Sequence, residues 1–289
     1  QVFSRSSVSA FLINKQVTGD LPDSFSGNSF NRVAGMEYNL ASQDNRWTGK
    51  AFYHQSFYQG ASSDAAAASG IVNYSTQFFK AGITAAWVGA DFNAEAGYIR
   101  RTGYYELNPA LSYSFYPASG IVLSHGPAFD FDLIYDPSME MMDRQTGLRY
   151  NIGFRNRSQI SLDLSETFVL LDRSYDPTNT GGERLPAGES YTWKSAELGY
   201  RSDSRTLFTW SVEGGYGTYY NGKRWNASAS AGYRFQPYGS ISLTASYNNI
   251  MLPDPYSSAE LILIGPKLDV TFTDKLFLTT FVQYNDQID

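Results

Sequence analysis

The sequence lacks several residue types that common functions require. It has no cysteine and only 2 histidines among 289 residues. The missing cysteines exclude disulfides, a thiolate zinc site and a cysteine nucleophile. Neither His54 nor His125 has a second histidine at ligand spacing, so we predict no metal site. We also predict no cofactor, because the glycine-rich stretch 214–217 lies in a strand pattern with no helix after it to hold a phosphate.

Charge and long apolar runs are also scarce. Charged residues make up 17% of the chain, below the roughly 25% of an ordinary globular domain. The net charge is −6 and no basic run could neutralise phosphates, so a nucleic-acid partner is not expected. No stretch approaches the ~20 apolar residues of a transmembrane helix. Aromatic residues reach 16%, and Tyr and Trp suit the boundary between lipid and water.

Alternation of apolar and polar side chains is the strongest pattern in the sequence. From 225 to 236, apolar residues occupy the odd positions and polar or small residues the even ones. Successive side chains of a strand point to opposite faces, so such a run predicts a strand with one apolar face. Similar runs cover 129–135, 148–155, 160–164, 208–216 and 241–247.

Turn-forming segments separate these runs at short intervals, and a few connections are longer. The short ones are 44–45, 117–120, 156–158, 203–204, 221–223 and 273–275; the longer ones are 20–28, 60–69 and 172–190. The pattern predicts about fourteen strands of ~9–11 residues, the length that crosses an outer membrane at a tilt. A soluble β-sandwich or propeller also alternates, but its strands are shorter.

We therefore predict an all-β, antiparallel up-and-down transmembrane β-barrel that occupies 1–289 as a single domain. Aromatic residues near predicted strand ends, such as Phe57 and Tyr58, favour this interpretation over a soluble sheet. The N-terminus has no signal-peptide pattern, and the chain stops at Asp289 without a terminal aromatic residue. We read it as a fragment, with more strands in the full protein.

A polar barrel interior would hold charged side chains from the polar positions of the strands. The candidate lumen-lining residues are Asp130, Asp132, Arg149, Arg155, Asp163, Glu213 and Arg234. Asp130 and Asp132 are ~6.5–7 Å apart on one face of a strand, a spacing that overlaps that of an inverting glycosidase pair. We favour cross-strand pairing with Arg149, Arg155 or Arg157 over a catalytic role, because spacing alone satisfies no geometric test of catalysis. We predict no catalytic residue. The sequence does not decide whether the protein is an enzyme, but it favours the absence of enzymatic activity.

A second candidate group joins two cations to two aromatic side chains: Arg100, Arg101, Tyr104 and Tyr105. As an interface or ligand contact it would meet a lipid headgroup, a glycan or an ion at a constriction. We favour the other interpretation, an interfacial loop with arginine stacked on tyrosine.

Several stretches resemble a family of uncharacterised outer-membrane proteins with an N-terminal family-nine-type carbohydrate-binding module and a C-terminal barrel. They are 92–98 with 101–105, 124–127 leading into 129–132, 233–239, 252–256 and 276–285. The resemblance covers most of the chain from about Ala81 onward. It implies a location in the outer membrane of a Gram-negative bacterium and a link to glycan handling. It supplies no catalytic residues, and the chain does not include the module.

Three functions follow as expectations. The first is a pore or channel linked to glycan uptake or processing. The second is a non-transporting barrel subunit or anchor of a larger outer-membrane complex, and the third is a barrel-borne glycan or lipid hydrolase. The expected partners are outer-membrane lipid, oligosaccharide and other outer-membrane proteins, without nucleic acid.

Overall fold

The computed structural model describes residues 5–19 and 27–286, and the elements in these ranges are β-strands. Fourteen long strands are followed by two short ones. They are β1 (Ser7–Gln16), β2 (Phe30–Ala41), β3 (Trp47–Tyr58), β4 (Ala66–Ser75), β5 (Phe79–Val88), β6 (Tyr104–Tyr113), β7 (Val122–Tyr135), β8 (Met141–Phe154), β9 (Gln159–Leu170), β10 (Ser190–Arg201), β11 (Phe208–Tyr219), β12 (Gly222–Arg234), β13 (Gly239–Met251), β14 (Ala259–Thr271), β15 (Phe277–Phe281) and β16 (Tyr284–Asn285).

The strands follow one another in the sheet in the order in which they occur in the chain. The order runs from β1 to β15 without a crossover, and β16 pairs with β14 beside β15. The pairing is antiparallel, as in β9–β10 and β12–β13. This is the connectivity of an up-and-down barrel, and it confirms the predicted all-β, antiparallel up-and-down fold. Within the described ranges, no helix is long and apolar enough to cross a membrane.

The connections differ in length between the two ends of the strands. The two longest connections that are described throughout, 89–103 after β5 and 171–189 after β9, follow odd-numbered strands, although one of the shortest, 220–221 after β11, follows one too. Even-numbered strands are followed by short turns, such as 155–158 after β8 and 202–207 after β10. Most predicted turns lie in these connections, whereas the predicted loop 60–69 is shorter because β4 begins at Ala66. Part of the predicted loop 20–28 lies outside the described residues.

The turn between β2 and β3 shows how a short connection is fixed by its sequence. Asp44 accepts hydrogen bonds from the Ser42 hydroxyl at 2.7 Å and from the Arg46 N–H at 3.1 Å. These two bonds, with the Ser42 bond first, lower the pKa of Asp44 because they favour its ionised form. Asn45 has a φ of 56°, a conformation that asparagine tolerates better than most residues.

The chain divides into two compact units. Unit 1 comprises the residues up to 112 and 130–144, and unit 2 comprises 113–129 and 145 onward. Fully buried side chains lie close to the longer loops, among them Ala65 in unit 1 and Leu185 in unit 2. Side chains in the middle of the strands are mostly exposed or half-buried. The prediction of a single domain over 1–289 stays a prediction.

Candidate functional site

One face of strands β9 to β14 in unit 2 is made of apolar side chains. Ile160 lies opposite Tyr200, and Tyr200 lies opposite Val212. The row continues through β12, β13 and β14 with Ala229, Ala245 and Ile264. Neighbouring rows add Leu198 and Ile241, which are 59% and 51% exposed. We call this surface the apolar face of unit 2, and it spans six strands in register.

The opposite face of the same strands carries polar and charged side chains, and we call it the polar face of unit 2. Asp163 on β9 lies opposite Glu197 on β10. That row continues through β11, β12 and β13 with Gly215, Asn226 and Asn248. In the next row, Glu213 on β11 lies opposite Ser228 on β12. The register thus separates apolar from polar side chains from β9 to β13. On β14 the polar face also carries Leu261 and Leu263, which lie opposite Asn248 and Ser246.

Carboxylates gather on the polar face where β9, β10 and β11 are neighbours. The side chain of Glu213 contacts that of Glu197 and lies in the field of Asp163. Arg149 on β8 forms an ion pair with Asp163, and Arg201 lies close to Glu213. With all five groups ionised the cluster is net negative, so it favours cations over anions near this surface.

The predicted residues Arg149, Asp163 and Glu213 therefore share one part of the polar face. Glu197 was missed, although it lies directly opposite Asp163. The alternation of residues 197–200 could have revealed it. Leu198 and Tyr200 point to one face of the strand, so Glu197 must point to the opposite, polar face.

The loop 171–189 is folded on itself at the end of β9. Tyr175 and Leu185 exchange two backbone hydrogen bonds of 3.0 and 2.8 Å. Asp176 accepts bonds from the N–H and hydroxyl of Thr178, at 2.8 and 2.6 Å, and from the Gly181 N–H at 3.0 Å. Burial alone would raise the pKa of Asp176, but these hydrogen bonds outweigh it and lower that pKa. Leu185 and Thr178 are buried, so the loop has a small interior of its own.

Aromatic side chains lie between this loop and the nearby ends of β10 and β11. They are Tyr175, Tyr191, Trp193, Tyr219 and Tyr220. The ring of Tyr220 is 4.6 Å from that of Trp193 and 5.8 Å from that of Tyr175, measured between centroids. The Arg224 guanidinium lies 5.4 Å from the centre of the Tyr219 ring. We call this group the aromatic cluster; by strand alternation Trp193 shares its face with Glu197.

In unit 1, a second charged group joins β2 and β3. The Lys50 Nζ lies 2.9 Å from Glu37 Oε2, and the His54 Nε2 lies 3.5 Å from Glu37 Oε1. The His54 ring is stacked on Phe52 with centroids 4.4 Å apart and meets the Phe11 ring edge-on at 5.0 Å. Sequence reasoning missed this group because alternation within one strand does not reveal which residues of the next strand lie opposite.

The loop 89–103 is bound to the ends of β1, β2 and β3 in unit 1. The buried Asn31 donates to the Asn93 carbonyl at 3.0 Å and accepts from the Glu95 N–H at 3.2 Å. The Asn93 N–H donates to the buried Ser56 hydroxyl at 3.2 Å. Glu95 also forms an ion pair of 2.6 Å with Lys15, which is the main reason for the lowered pKa of Glu95. Both long loops are therefore held by specific polar bonds.

The predicted pair Asp130 and Asp132 lies on β7. Asp132 accepts a hydrogen bond of 3.0 Å from Asn108 Nδ2 on β6, and Asp130 is exposed. Of the arginines considered as partners for this pair, Arg149 is bonded to Asp163 instead. Asp132 is therefore hydrogen-bonded to a side-chain amide, as is common on a solvated polar surface.

Two further predicted arginines hold turns. Arg155 lies just beyond β8, where its Nε donates to the Gly120 carbonyl at 2.7 Å and its Nη2 to the carbonyls of residues 117 and 118. Arg234, the last residue of β12, donates from Nη2 to the carbonyls of Ser204 and Thr206 at 2.8 and 2.7 Å. Both guanidinium groups therefore bind backbone in a neighbouring short turn.

The candidate interface group lies where the loop 89–103 enters β6. Arg101 Nη1 forms an ion pair of 2.9 Å with Asp143 on β8, and Arg100 is exposed in the loop. Tyr104 and Tyr105 are the first two residues of β6, with Tyr104 the more buried of the two. The four residues are thus adjacent, and Arg101 is already occupied by a carboxylate.

The chemistry available at these places is binding and steering of charged or polar solutes. Among residues 5–19 and 27–286, no group of three or more histidine, aspartate or glutamate side chains is placed to hold a metal ion. The charged side chains form ion pairs across strands, and the aromatic rings offer flat surfaces beside them. Such a surface can order ions and solutes along a polar wall.

Comparisons with known proteins give one structural likeness. The fold is similar to that of a Salmonella typhi porin solved as "OmpF complex with Daunomycin", with 13% sequence identity, 97% of this chain and 88% of that chain covered, and a TM-score of 0.43. A likeness of this size says nothing about a substrate. No family model matches the chain, and no curated protein matches it. The resemblance to barrels with a carbohydrate-binding module stays a prediction.

Proposed function

We propose that this chain forms the wall of an outer-membrane β-barrel in a Gram-negative bacterium, and that the barrel conducts small polar solutes. The observation that carries the proposal is the apolar face of unit 2, which stays exposed across six strands. Soluble monomers rarely expose a continuous apolar patch larger than a few hundred Å². A bilayer covers such a face without any protein partner.

The strand lengths agree with this proposal. β11 and β9 have 12 residues each, which corresponds to a length of about 40 Å at about 3.3 Å per residue. At a tilt of about 40°, such a strand crosses roughly 30 Å of bilayer. A sheet in lipid must pair all of its backbone groups, which favours closure into a barrel. The polar face of unit 2 then borders the lumen.

Oligosaccharides are the class of solute that we propose first. The aromatic cluster supplies rings with apolar faces beside the polar tip of Tyr219 and the cation of Arg224. A sugar presents an apolar C–H face and a rim of hydroxyl groups, so it matches a surface of this mixed kind. Outer-membrane lipid is the proposed surrounding of the apolar face.

Conductance in planar lipid bilayers tests the pore. We expect stepwise currents with a preference for cations, because carboxylates outnumber guanidinium groups in the cluster around Glu197. Glu197→Gln should shift the reversal potential in a salt gradient toward anions. Glu183→Gln, in the exposed part of the loop 171–189, is the matched control and should leave the reversal potential unchanged. A correctly inserted barrel without any current would refute an open pore.

A second candidate, a non-transporting barrel subunit, is favoured by one observation. The loop 171–189 is held by its own hydrogen bonds and contacts aromatic side chains at the end of the polar face. We propose that this rigid loop obstructs the lumen. Replacement of 174–186 by a short Gly–Ser linker separates the two candidates. Current in the variant alone indicates an obstructed pore, whereas silence in both, with stable co-purification of another outer-membrane protein, supports the subunit.

A further inference from the structure

A groove in unit 2 lies where the apolar face meets the short turns. Its volume is about 530 Å³, within the range of about 300–1,000 Å³ that is usual for small-molecule sites. Ile160 and Tyr200 form part of its wall, and both belong to the apolar face of unit 2. Phe154 and Ile121 complete the apolar lining. The groove is therefore a continuation of the apolar face rather than a separate site.

The rim of the groove is polar and positively charged. Asn156, Ser158 and Arg155 line it at the turn between β8 and β9. Arg155 uses its Nε–H and both Nη2 hydrogens for three carbonyls of the turn 114–121. A guanidinium has five N–H donors, so the two on Nη1 remain. Among the described residues, no carboxylate lies within ion-pair distance of Arg155.

A second cation lies in the same turn. Arg157 is adjacent to Ser158 in the chain and is exposed. The nearby carboxylate of Asp203 already forms an ion pair of 2.8 Å with Arg205. The turn 155–158 thus carries more positive than negative charge beside an apolar groove. An anionic group with an attached hydrocarbon chain matches both parts.

We propose that this groove binds a glycerophospholipid, with an acyl chain along Ile160 and Tyr200 and the phosphate at Arg155 and Arg157. The inference rests on the proposed function, because it requires the apolar face to lie in lipid. The position of the groove along the strands agrees with this proposal, because the groove lies at the turn between β8 and β9. There the hydrocarbon region gives way to headgroups, and arginine binds a phosphate with several donors at once.

Native mass spectrometry of the chain released from nanodiscs tests the proposal. The probes are dioleoyl phosphatidylglycerol and dioleoylglycerol, which share their acyl chains but differ in the phosphate. We expect one phosphatidylglycerol to be retained per chain, with little retention of dioleoylglycerol. Arg157→Gln should weaken retention about fivefold, as expected for one cation at a membrane surface. Lys275→Gln, which removes a cation from the turn after β14, should have no effect.

Filling the groove provides an independent variant. Ile160→Trp should displace the acyl chain and abolish selective retention, whereas Ile241→Trp places the same ring elsewhere on the apolar face and should not. Far-UV circular dichroism verifies that both variants keep their β-structure. Arg155→Lys retains the charge but loses the turn contacts, so retention should fall less than in Arg155→Gln.

The outcomes that overturn the proposal are distinct from failure of the proposed function. A chain that does not insert into nanodiscs refutes the membrane barrel. An inserted chain that retains both lipids equally, or whose retention is unaffected by Arg157→Gln and Ile160→Trp, refutes the lipid site alone. Displacement of phosphatidylglycerol by excess inorganic phosphate would show a free-anion site and would equally overturn the proposal.

Discussion

Tyr175 and Leu185 close the loop 171–189 by donating a backbone N–H to each other's carbonyl, which makes an isolated antiparallel pair inside the loop. The side chain of Leu185 is fully buried. A loop with internal backbone bonds and a buried side chain opens less readily than an extended connection of the same length. The loop should therefore behave as a small fixed structure at the end of β9 and β10.

Removal of the Asp176 carboxylate should loosen this loop. Asp176→Ala deletes the acceptor of three hydrogen bonds, and a bond to a charged group contributes about 1.5–3 kcal/mol. Trypsin should then cleave after Arg173 and Arg184 at least tenfold faster than in the unmodified chain. Asp172→Ala is the control, since Asp172 is exposed in the same loop. Equal cleavage rates in all three proteins would contradict the role of Asp176.

The turn 202–207 gives a prediction about pH. The hydrogen bond from Arg205, followed by the Arg205 backbone N–H, lowers the pKa of Asp203 to about 2. Since the folded pKa lies below the ordinary value of about 3.9, the stabilising effect is full above that value and is lost as the pH falls toward 2. The ¹³C chemical shift of the Asp203 carboxyl measures the titration. Arg205→Gln should return the midpoint toward about 3.9, and an unchanged midpoint would refute the assigned cause.

The two faces of β12 should differ in their tolerance of charge. Ala229 lies on the apolar face and Ser228 on the polar face of unit 2. If the apolar face contacts lipid, Ala229→Arg should cost about 2–4 kcal/mol in the free energy of unfolding, because the cation then enters hydrocarbon near the bilayer midplane. Ser228→Arg should cost less than about 1 kcal/mol. Reversible unfolding in phospholipid vesicles measures both, and equal costs would argue against a lipid-facing surface.

Two strand glycines of unit 1 form a matched pair for a packing test. A Cβ at Gly35 would lie 2.5 Å from His54 Cδ2 and from Phe11 Cε1, whereas a Cβ at Gly70 has no heavy atom within 4 Å. Gly35→Ala should destabilise unit 1 by about 1–3 kcal/mol, since overpacking forces neighbouring rings to shift. Gly70→Ala should be neutral or slightly stabilising. A neutral Gly35→Ala would show that the Phe11 and His54 rings move aside freely.

The strand positions could be predicted because they depend on local sequence. The alternation over 225–236 coincides with β12, which ends at Arg234 shortly before Pro237. Turns at 156–158 and 203–204 were predicted for the same reason, since asparagine and aspartate favour turns through their own side-chain bonds. About fourteen strands were expected, and fourteen are found before the short β15 and β16.

The groupings across strands could not be predicted in the same way. Register depends on the pairing of whole strands, and a shift by one residue exchanges the faces. The contact between Glu37 and Lys50 therefore had no local signal, and neither did the aromatic cluster, which takes Tyr175 from a loop and Trp193 from a strand. Arg155 was expected on a strand, but β8 ends at Phe154 and leaves it in the turn.

From β1 to β15 each strand pairs with its neighbours in the chain, so the sheet is assembled from hairpins that share strands. Duplication or loss of one hairpin would leave every other pairing intact, which permits proteins of this design to change circumference during evolution in steps of two strands. The loops 89–103 and 171–189, which lie at the opposite ends of the strands from turns such as 155–158, could diversify without disturbing those steps. In the pore that we propose, width and surface recognition would thereby be open to separate selection.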